Sequence, residues 1–400
     1  MRKRFSLVAV SLVLALVGAA CQQTAEQPDV AEKKTTVKIA FVGAQTGPLN
    51  PLVIHAIRAA ELAFDAANES GEVKGINIEY KVFDSQGSGD QATTLKDKFI
   101  PDEKFIGLIG PAFSGETRAI LPSLQEAGLV MISPSATNTK LPSIVCGGEG
   151  GDCPAQTVFH RVVPDDDVQG KGVADYVTKV LKLTKLAYAH DNSDYGKAVA
   201  EGTRDLLKAA GVTEVVTVAI DPASQDYSAA VNQLKGAPGV FYGGYAPEAG
   251  RLAKQLTDGG FNGKYLSGDG SLDQAFVSGA GGAGAEGAFL TCACKLATAD
   301  SPGELGQFAK DYKAKFKLDP GVYAGEGYDA ARIFIEGLKK GHTTRKAMHD
   351  YVESLTTVPA GISKTIEFLP NGNQKPTEVF VHEIKGGKIV VLGTVEELTK

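Results

Sequence analysis

Val37-Lys38-Ile39-Ala40-Phe41-Val42-Gly43 is a β-branched and aromatic run closed by glycine, and residues 51–68 behind it carry apolar side chains at helical spacing. A strand that hands over to a helix is the first half of a βα unit. The alternation continues with strands at 76–84, 105–110 and 129–133 and helices at 90–99 and 117–127, the last stopped by Gly128. Such a rhythm predicts a parallel sheet covered by helices on both faces. Residues 135–157, rich in Pro, Gly, Ser and Thr, interrupt it. It resumes with strands at 159–163, 185–190, 215–220, 240–245 and 265–267, and helices at 166–182, 195–210, 227–235 and 248–259. The chain therefore reads as α/β, two successive doubly wound, Rossmann-like lobes with a break near Arg161.

The remainder is less regular. A Gly/Ala loop is expected at 279–287 and a strand at 288–291, followed by helices at 304–316, 323–340 and 344–354. Antiparallel strands are expected at 365–368, 379–384 and 389–393, with turns at Asn371-Gly372 and Lys385-Gly386-Gly387. Three crossings between the lobes are expected, near Arg161, Thr291 and Val379. Residues 36–161 plus 291–379 form the first lobe of this reading, and 162–290 plus 380–400 the second.

The N-terminus has a separate logic. Met1-Arg2-Lys3-Arg4 is basic, residues 5–17 are apolar apart from Ser6 and Ser11, and Gly18-Ala19-Ala20 are small. That order is a secretory signal over residues 1–20, and its apolar part is short of the ~20 residues a bilayer span takes. Cys21 directly after the small residues resembles a bacterial lipobox, with Gly18 where Leu is usual. An incidental Cys behind an ordinary signal is the plain alternative. Residues 21–35 would be a lipidated tether, too poor in apolar side chains to order themselves. The formal net charge is −6, which offers no basic footprint for nucleic acid.

Cys21 aside, four of the five cysteines form two close pairs. In an exported chain, Cys146 with Cys153 and Cys292 with Cys294 suggest disulfides. Cys292-Ala293-Cys294 is the harder pair, because alternate strand residues point to opposite faces and a bridge needs a kink. Neither pair has zinc-site spacing and no His lies beside them, so no metal is expected.

Parallel sheets bind ligands at the carboxyl ends of their strands. The stretches there are Gly110-Pro111-Ala112-Phe113-Ser114-Gly115-Glu116-Thr117, Ser133-Pro134-Ser135-Ala136-Thr137, His190-Asp191-Asn192-Ser193-Asp194-Tyr195-Gly196, Tyr242-Gly243-Gly244-Tyr245-Ala246-Pro247-Glu248 and Ser267-Gly268-Asp269-Gly270. Ser114 at a helix start is placed to hold an anion with the free N–H groups, or to act as a plain cap. Asp269 between glycines is either a turn residue or a carboxylate offered to a cation. The Gly-rich 279–284 stretch fits a dinucleotide fingerprint only in spacing, because it does not link a strand to a helix. Asp165-Asp166-Asp167 reads as a helix start in a solvated hinge.

In order and wording, these stretches resemble the type I periplasmic binding proteins of bacterial ABC transporters, within them the branched-chain amino-acid receptor group. Tyr242 to Glu248, Pro134 to Thr137 and His190 to Gly196 carry the resemblance. It implies a substrate-binding protein, not an enzyme, without cofactor. Such a protein captures a small amino acid, preferably aliphatic, between closing lobes and delivers it to an ABC permease. It implies Ser114 and Thr137, with backbone N–H groups, at the ligand carboxylate, and the Ser135 carbonyl at the ammonium with Ala136 beside it. It also implies Tyr195 and Tyr245 as the opposite lobe's cover. Asp269 takes the place of a glutamate that pairs with the ammonium and is one methylene shorter. The first loop, Gly47-Pro48-Leu49-Asn50-Pro51-Leu52, lacks the Tyr often found there. The expected protein is monomeric, exported and held to the membrane by lipid alone. An amide or urea-like solute on the same fold is the alternative ligand, and a sensory ectodomain the alternative role.

Overall fold

The computed structural model describes residues 34–146, 157–358 and 361–400. Cys21, the signal, nearly all of the tether and Cys153 lie outside them. The first sheet holds β1 (Thr35–Gly43), β2 (Ile76–Asp84), β3 (Phe105–Ile109), β4 (Met131–Ser133) and β5 (Phe159–Arg161), in the order β2-β1-β3-β4-β5. All its pairings are parallel. The second sheet takes β6 (Lys185–His190), β7 (Thr213–Ala219), β8 (Gly239–Gly243), β9 (Lys264–Ser267) and β10 (Phe289–Cys292). It ends on the hairpin β13 (Phe380–Lys385) and β14 (Lys388–Thr394), giving the order β14-β13-β10-β9-β8-β6-β7. Its first five strands run parallel and the hairpin antiparallel.

Central strands buried on both faces should read as continuous apolar runs, and Phe105–Ile109 and Gly239–Gly243 are buried at every position. The helices show the complementary pattern. The Gly196–Ala209 helix buries Val199, Ala200, Thr203 and Leu207, spaced to lie on one face, and turns charged residues to water. Between β10 and β13 the chain leaves the second sheet, and its Ala324–Lys339 helix packs on the Asn50–Ser70 helix and β3. Close approach there depends on glycine, because a Cβ on Gly327 would meet the Ala56 backbone at 2.4 Å and one on Gly107 the Phe334 ring at 2.2 Å.

Several local expectations need correction. Residues 279–287 are not a plain loop: the Gln274–Gly279 helix runs into them and Ala283–Ala285 is a 3₁₀ turn. Ile366–Glu367 (β12) pairs with Thr357–Val358 (β11) in a small separate sheet. The turn at Asn371-Gly372 instead closes a single bridge between Phe368 and Gln374. Cys292 and Cys294 are bridged, with Cα atoms 5.0 Å apart. The facing rule does not oppose the bridge, because β10 ends at Cys292 and Cys294 lies beyond the strand. Cys146 is also disulfide-bonded. Asp166 starts its helix as expected, yet it is buried, so the acidic run is solvated at Asp167 and not at Asp166. Among the described residues no helix is long and apolar enough to cross a membrane, and no group of three His, Cys, Asp or Glu is placed to hold a metal ion.

Candidate functional site

The strand-end loops of the two sheets meet. A small space between them, partly open to solvent, is bounded by Leu52, Phe113 and Ser114 on the first sheet's side and Tyr195, Tyr245 and Asp269 on the second's. Ser135 lines it too, so five of the seven residues expected at the site face one space. Ala136 and Thr137 are buried beside it without lining it.

On the first side, Ser114 is the first residue of the Ser114–Glu126 helix and Phe113 precedes it as the cap. Its hydroxyl therefore caps nothing in its own helix and accepts the Asn138 N–H at 3.3 Å. Glu116 braces the same turn: it accepts the Phe113 N–H at 3.2 Å and the Ser85 hydroxyl. Burial pushes its carboxyl up to about 7, against the opposing hydrogen bond from Ser85. The Ser135 hydroxyl donates to the Ala112 carbonyl at 2.7 Å, which locks two strand-end loops together. Arg161, fully buried, donates to the carbonyls of Ala136 and Asn138 at 3.0 and 2.9 Å and to Asn373 Oδ1 at 2.9 Å. Sequence reading places Arg161 only at a crossing. Its signal is a lone cation inside an apolar strand, which must find acceptors when buried.

On the second side, Asp269 opens a short turn after β9. Its Oδ1 accepts the Tyr195 hydroxyl at 2.9 Å and the Gln169 amide, and its Oδ2 accepts the Tyr323 hydroxyl. Gln169 returns the contact by accepting the Asp269 N–H at 3.1 Å. Burial raises the Asp269 carboxyl above the ordinary range, opposed by the bonds from Tyr323, Gln169 and Tyr195. Burial also raises Asp166 strongly, and the charge of Asp269 adds to it. Gly270 makes room for the tyrosine, because a Cβ there would lie 2.6 Å from the Tyr195 ring. Tyr245 stacks edge-on against Phe113 at 5.4 Å across the cavity and lies 5.3 Å from the Tyr195 ring.

The arrangement offers hydroxyls and a helix start on one side, a carboxylate on the other, and an apolar wall of Leu52, Phe113 and Tyr245 between them. Leu52, in the first turn of the Asn50–Ser70 helix, stands at the end of the stretch where an aromatic was missing. Gln169 and Tyr323 are not found from the sequence because neither directly follows a strand, while Leu52 falls within the quoted first loop without being singled out.

The family described as periplasmic binding protein matches residues 36–388. The Leu/Ile/Val-binding protein homolog 3 of Brucella melitensis is 28% identical over 365 residues, which cover 89% of this chain and 93% of that one. The leucine-, isoleucine-, valine-, threonine- and alanine-binding protein of Pseudomonas aeruginosa is 26% identical over 309 residues, 76% of this chain and 78% of that one. Among solved structures, the branched-chain amino acid transporter substrate binding protein LivJ of Streptococcus pneumoniae, in complex with isoleucine, superposes with a TM-score of 0.78. It is 24% identical, and the match covers 90% of this chain and 100% of that one.

Proposed function

The chain belongs to the periplasmic binding protein family, and on that premise we propose that it is the substrate-binding component of an ABC importer for a small amino acid, branched-chain or aliphatic by preference. The family consists of solute-binding proteins, not enzymes, and the periplasmic binding proteins of importers are exported. The observation that carries the reading is the placement of Asp269 across one cavity from Ser114 and the start of its helix. A zwitterion has its charges at that polarity: its carboxylate meets N–H and O–H donors, its ammonium a buried carboxylate. The names of relatives that bind leucine, isoleucine and valine support the aliphatic preference.

In this reading Ser114 and Thr137 hold the ligand carboxylate. The Ser135 carbonyl, beside Ala136, and the Asp269 carboxylate hold the ammonium. Tyr245 covers the side chain, and Tyr195 positions Asp269, since its hydroxyl is committed there. The two sheets are the cores of two lobes, residues 36–161 plus 291–379 and 162–290 plus 380–400, that close by bending at the three crossings. Cys21 anchors a monomeric protein through lipid, and the closed form docks on permease subunits.

Calorimetry with leucine, isoleucine, valine, alanine and acetamide tests the reading. Saturable binding of at least one aliphatic amino acid is expected. Binding of acetamide with no amino acid bound would overturn it in favour of an amide receptor.

A further inference from the structure

Tyr323 sits in no strand-end stretch, yet its hydroxyl donates to Asp269 Oδ2. The side chain comes from the opposite side of the cavity. It precedes the Ala324–Lys339 helix, which packs on the Asn50–Ser70 helix and β3 of the first sheet, while Asp269 lies just past β9 of the second. The bond therefore joins elements of both sheets at the site itself. Its geometry is enforced. Tyr323 has φ 60° and ψ 8°, the left-handed region that bulky L residues avoid, and it is buried. Such a backbone persists where the surroundings over-determine it, and it clusters at functional positions.

The two oxygens of Asp269 are divided between the two sides. Tyr195 and Gln169 hold Oδ1 from the second sheet's side, and Tyr323 takes Oδ2 from the first. An aspartate reaches less far into a cleft than a glutamate, and the tyrosine hydroxyl meets it part-way. We propose that Tyr323 is the positioning residue that allows a carboxylate as short as Asp269 to serve this site: its hydroxyl fixes Oδ2 toward the first sheet and couples closure to that carboxylate. A glutamate at 269 would carry its carboxylate into the space the Tyr323 hydroxyl fills, so the length of residue 269 and the hydroxyl of residue 323 are linked. As a ligand-recognition statement this rests on the amino-acid reading above; as a statement about closure it does not.

The test is a double-mutant cycle read by calorimetry with L-leucine and L-alanine, together with small-angle scattering of the ligand-free protein. Tyr323→Phe should weaken amino-acid binding at least three-fold, and about ten-fold for loss of a hydrogen bond to a charged group. Asp269→Glu should also weaken it, and the double variant should bind more tightly than Asp269→Glu alone. That recovery is something a merely structural tyrosine cannot produce. Tyr323→Phe within three-fold of wild type, or a double variant no tighter than Asp269→Glu, overturns the inference. If wild type binds neither amino acid, the proposed function fails instead, and the scattering arm decides the inference. A larger radius of gyration for ligand-free Tyr323→Phe than for wild type sustains it, and an equal one sinks it. Should that variant not fold, Asp269→Asn, which removes the charge that the hydroxyl meets, is read in the same arm.

Discussion

Arg118 Nε donates to Asp194 Oδ1 at 2.6 Å, which ties the helix after β3 of the first sheet to the loop after β6 of the second. Asn138 joins the same loop, its side-chain amide donating to the Asp194 carbonyl at 2.5 Å. Both members of the ion pair are well exposed, so water and salt screen it. Arg118→Ala should therefore change ligand affinity by no more than about three-fold at low salt. That difference should vanish in ~1 M salt, where the screening length falls to about 3 Å. Calorimetry at two ionic strengths checks this.

Asp269→Ala should abolish measurable binding of whichever amino acid wild type binds. Removing one partner of a buried charge pair costs about 3–5 kcal/mol, which is about a hundred-fold or more in affinity. The ligand-free variant should also lose some stability, because Tyr195, Gln169 and Tyr323 lose their acceptor, a loss offset in part by the burial cost of the carboxylate. Thermal unfolding with and without ligand separates the two effects.

Glu116 makes stability depend on pH in a definite direction. Its folded pKa of about 7 lies above the unfolded value of about 4.3, so the folded state binds its proton more tightly. The stability this contributes is fully present below the unfolded pKa and is lost as pH rises through about 7. Glu116→Gln should flatten the fall between those limits, by at most about 4 kcal/mol. Glu248, also raised to about 7 by burial, leaves part of the slope in place. Urea unfolding at pH 4.5, 6 and 7.5 measures the difference, and an unchanged slope would count against a buried ionisable Glu116.

The Cys292–Cys294 bridge closes a loop with a sequence separation of 2. A loop so short removes little freedom from the unfolded chain, about 1–2 kcal/mol on the loop-entropy relation. The Cys292→Ala, Cys294→Ala double variant should lose stability by that order and keep its ligand affinity. Parallel unfolding and binding curves check both halves.

Gly270→Ala should impair binding without unfolding the chain. The new methyl group would press on the Tyr195 ring and on the Gly244 carbonyl, so Tyr195 must leave Asp269. A fall in affinity with near-unchanged circular dichroism is the expected result.

Much of this arrangement is legible in the amino-acid sequence, for a physical reason. A parallel sheet puts the end of every strand on one edge, so Ser114, Ser135, Tyr195, Tyr245 and Asp269 are found by locating strands and taking the residues just past their carboxyl ends. Partners that arrive from elsewhere are not found this way. Gln169 lies 100 residues from Asp269, on a helix face that no local pattern distinguishes from core. Tyr323 lies 54 residues from it, at the start of a helix whose apolar spacing reveals its packing but not what its first turn touches. The Cys292–Cys294 bridge turns on where a strand stops, and strand ends are the least legible feature of such a pattern.

The packing of the Ala324–Lys339 helix on β3 also bears on how the protein is made. The five strands of the first sheet leave the ribosome before any strand of the second, but the Phe334 ring that seats on Gly107 emerges only after β10. Until then the face that it shares with the Asn50–Ser70 helix is only part covered and leaves apolar side chains exposed, a state that invites chaperones and aggregation. Contacts so distant along the chain also slow folding. The first sheet is thus translated early and completed late, and a nascent chain halted before residue 324 holds an unfinished core.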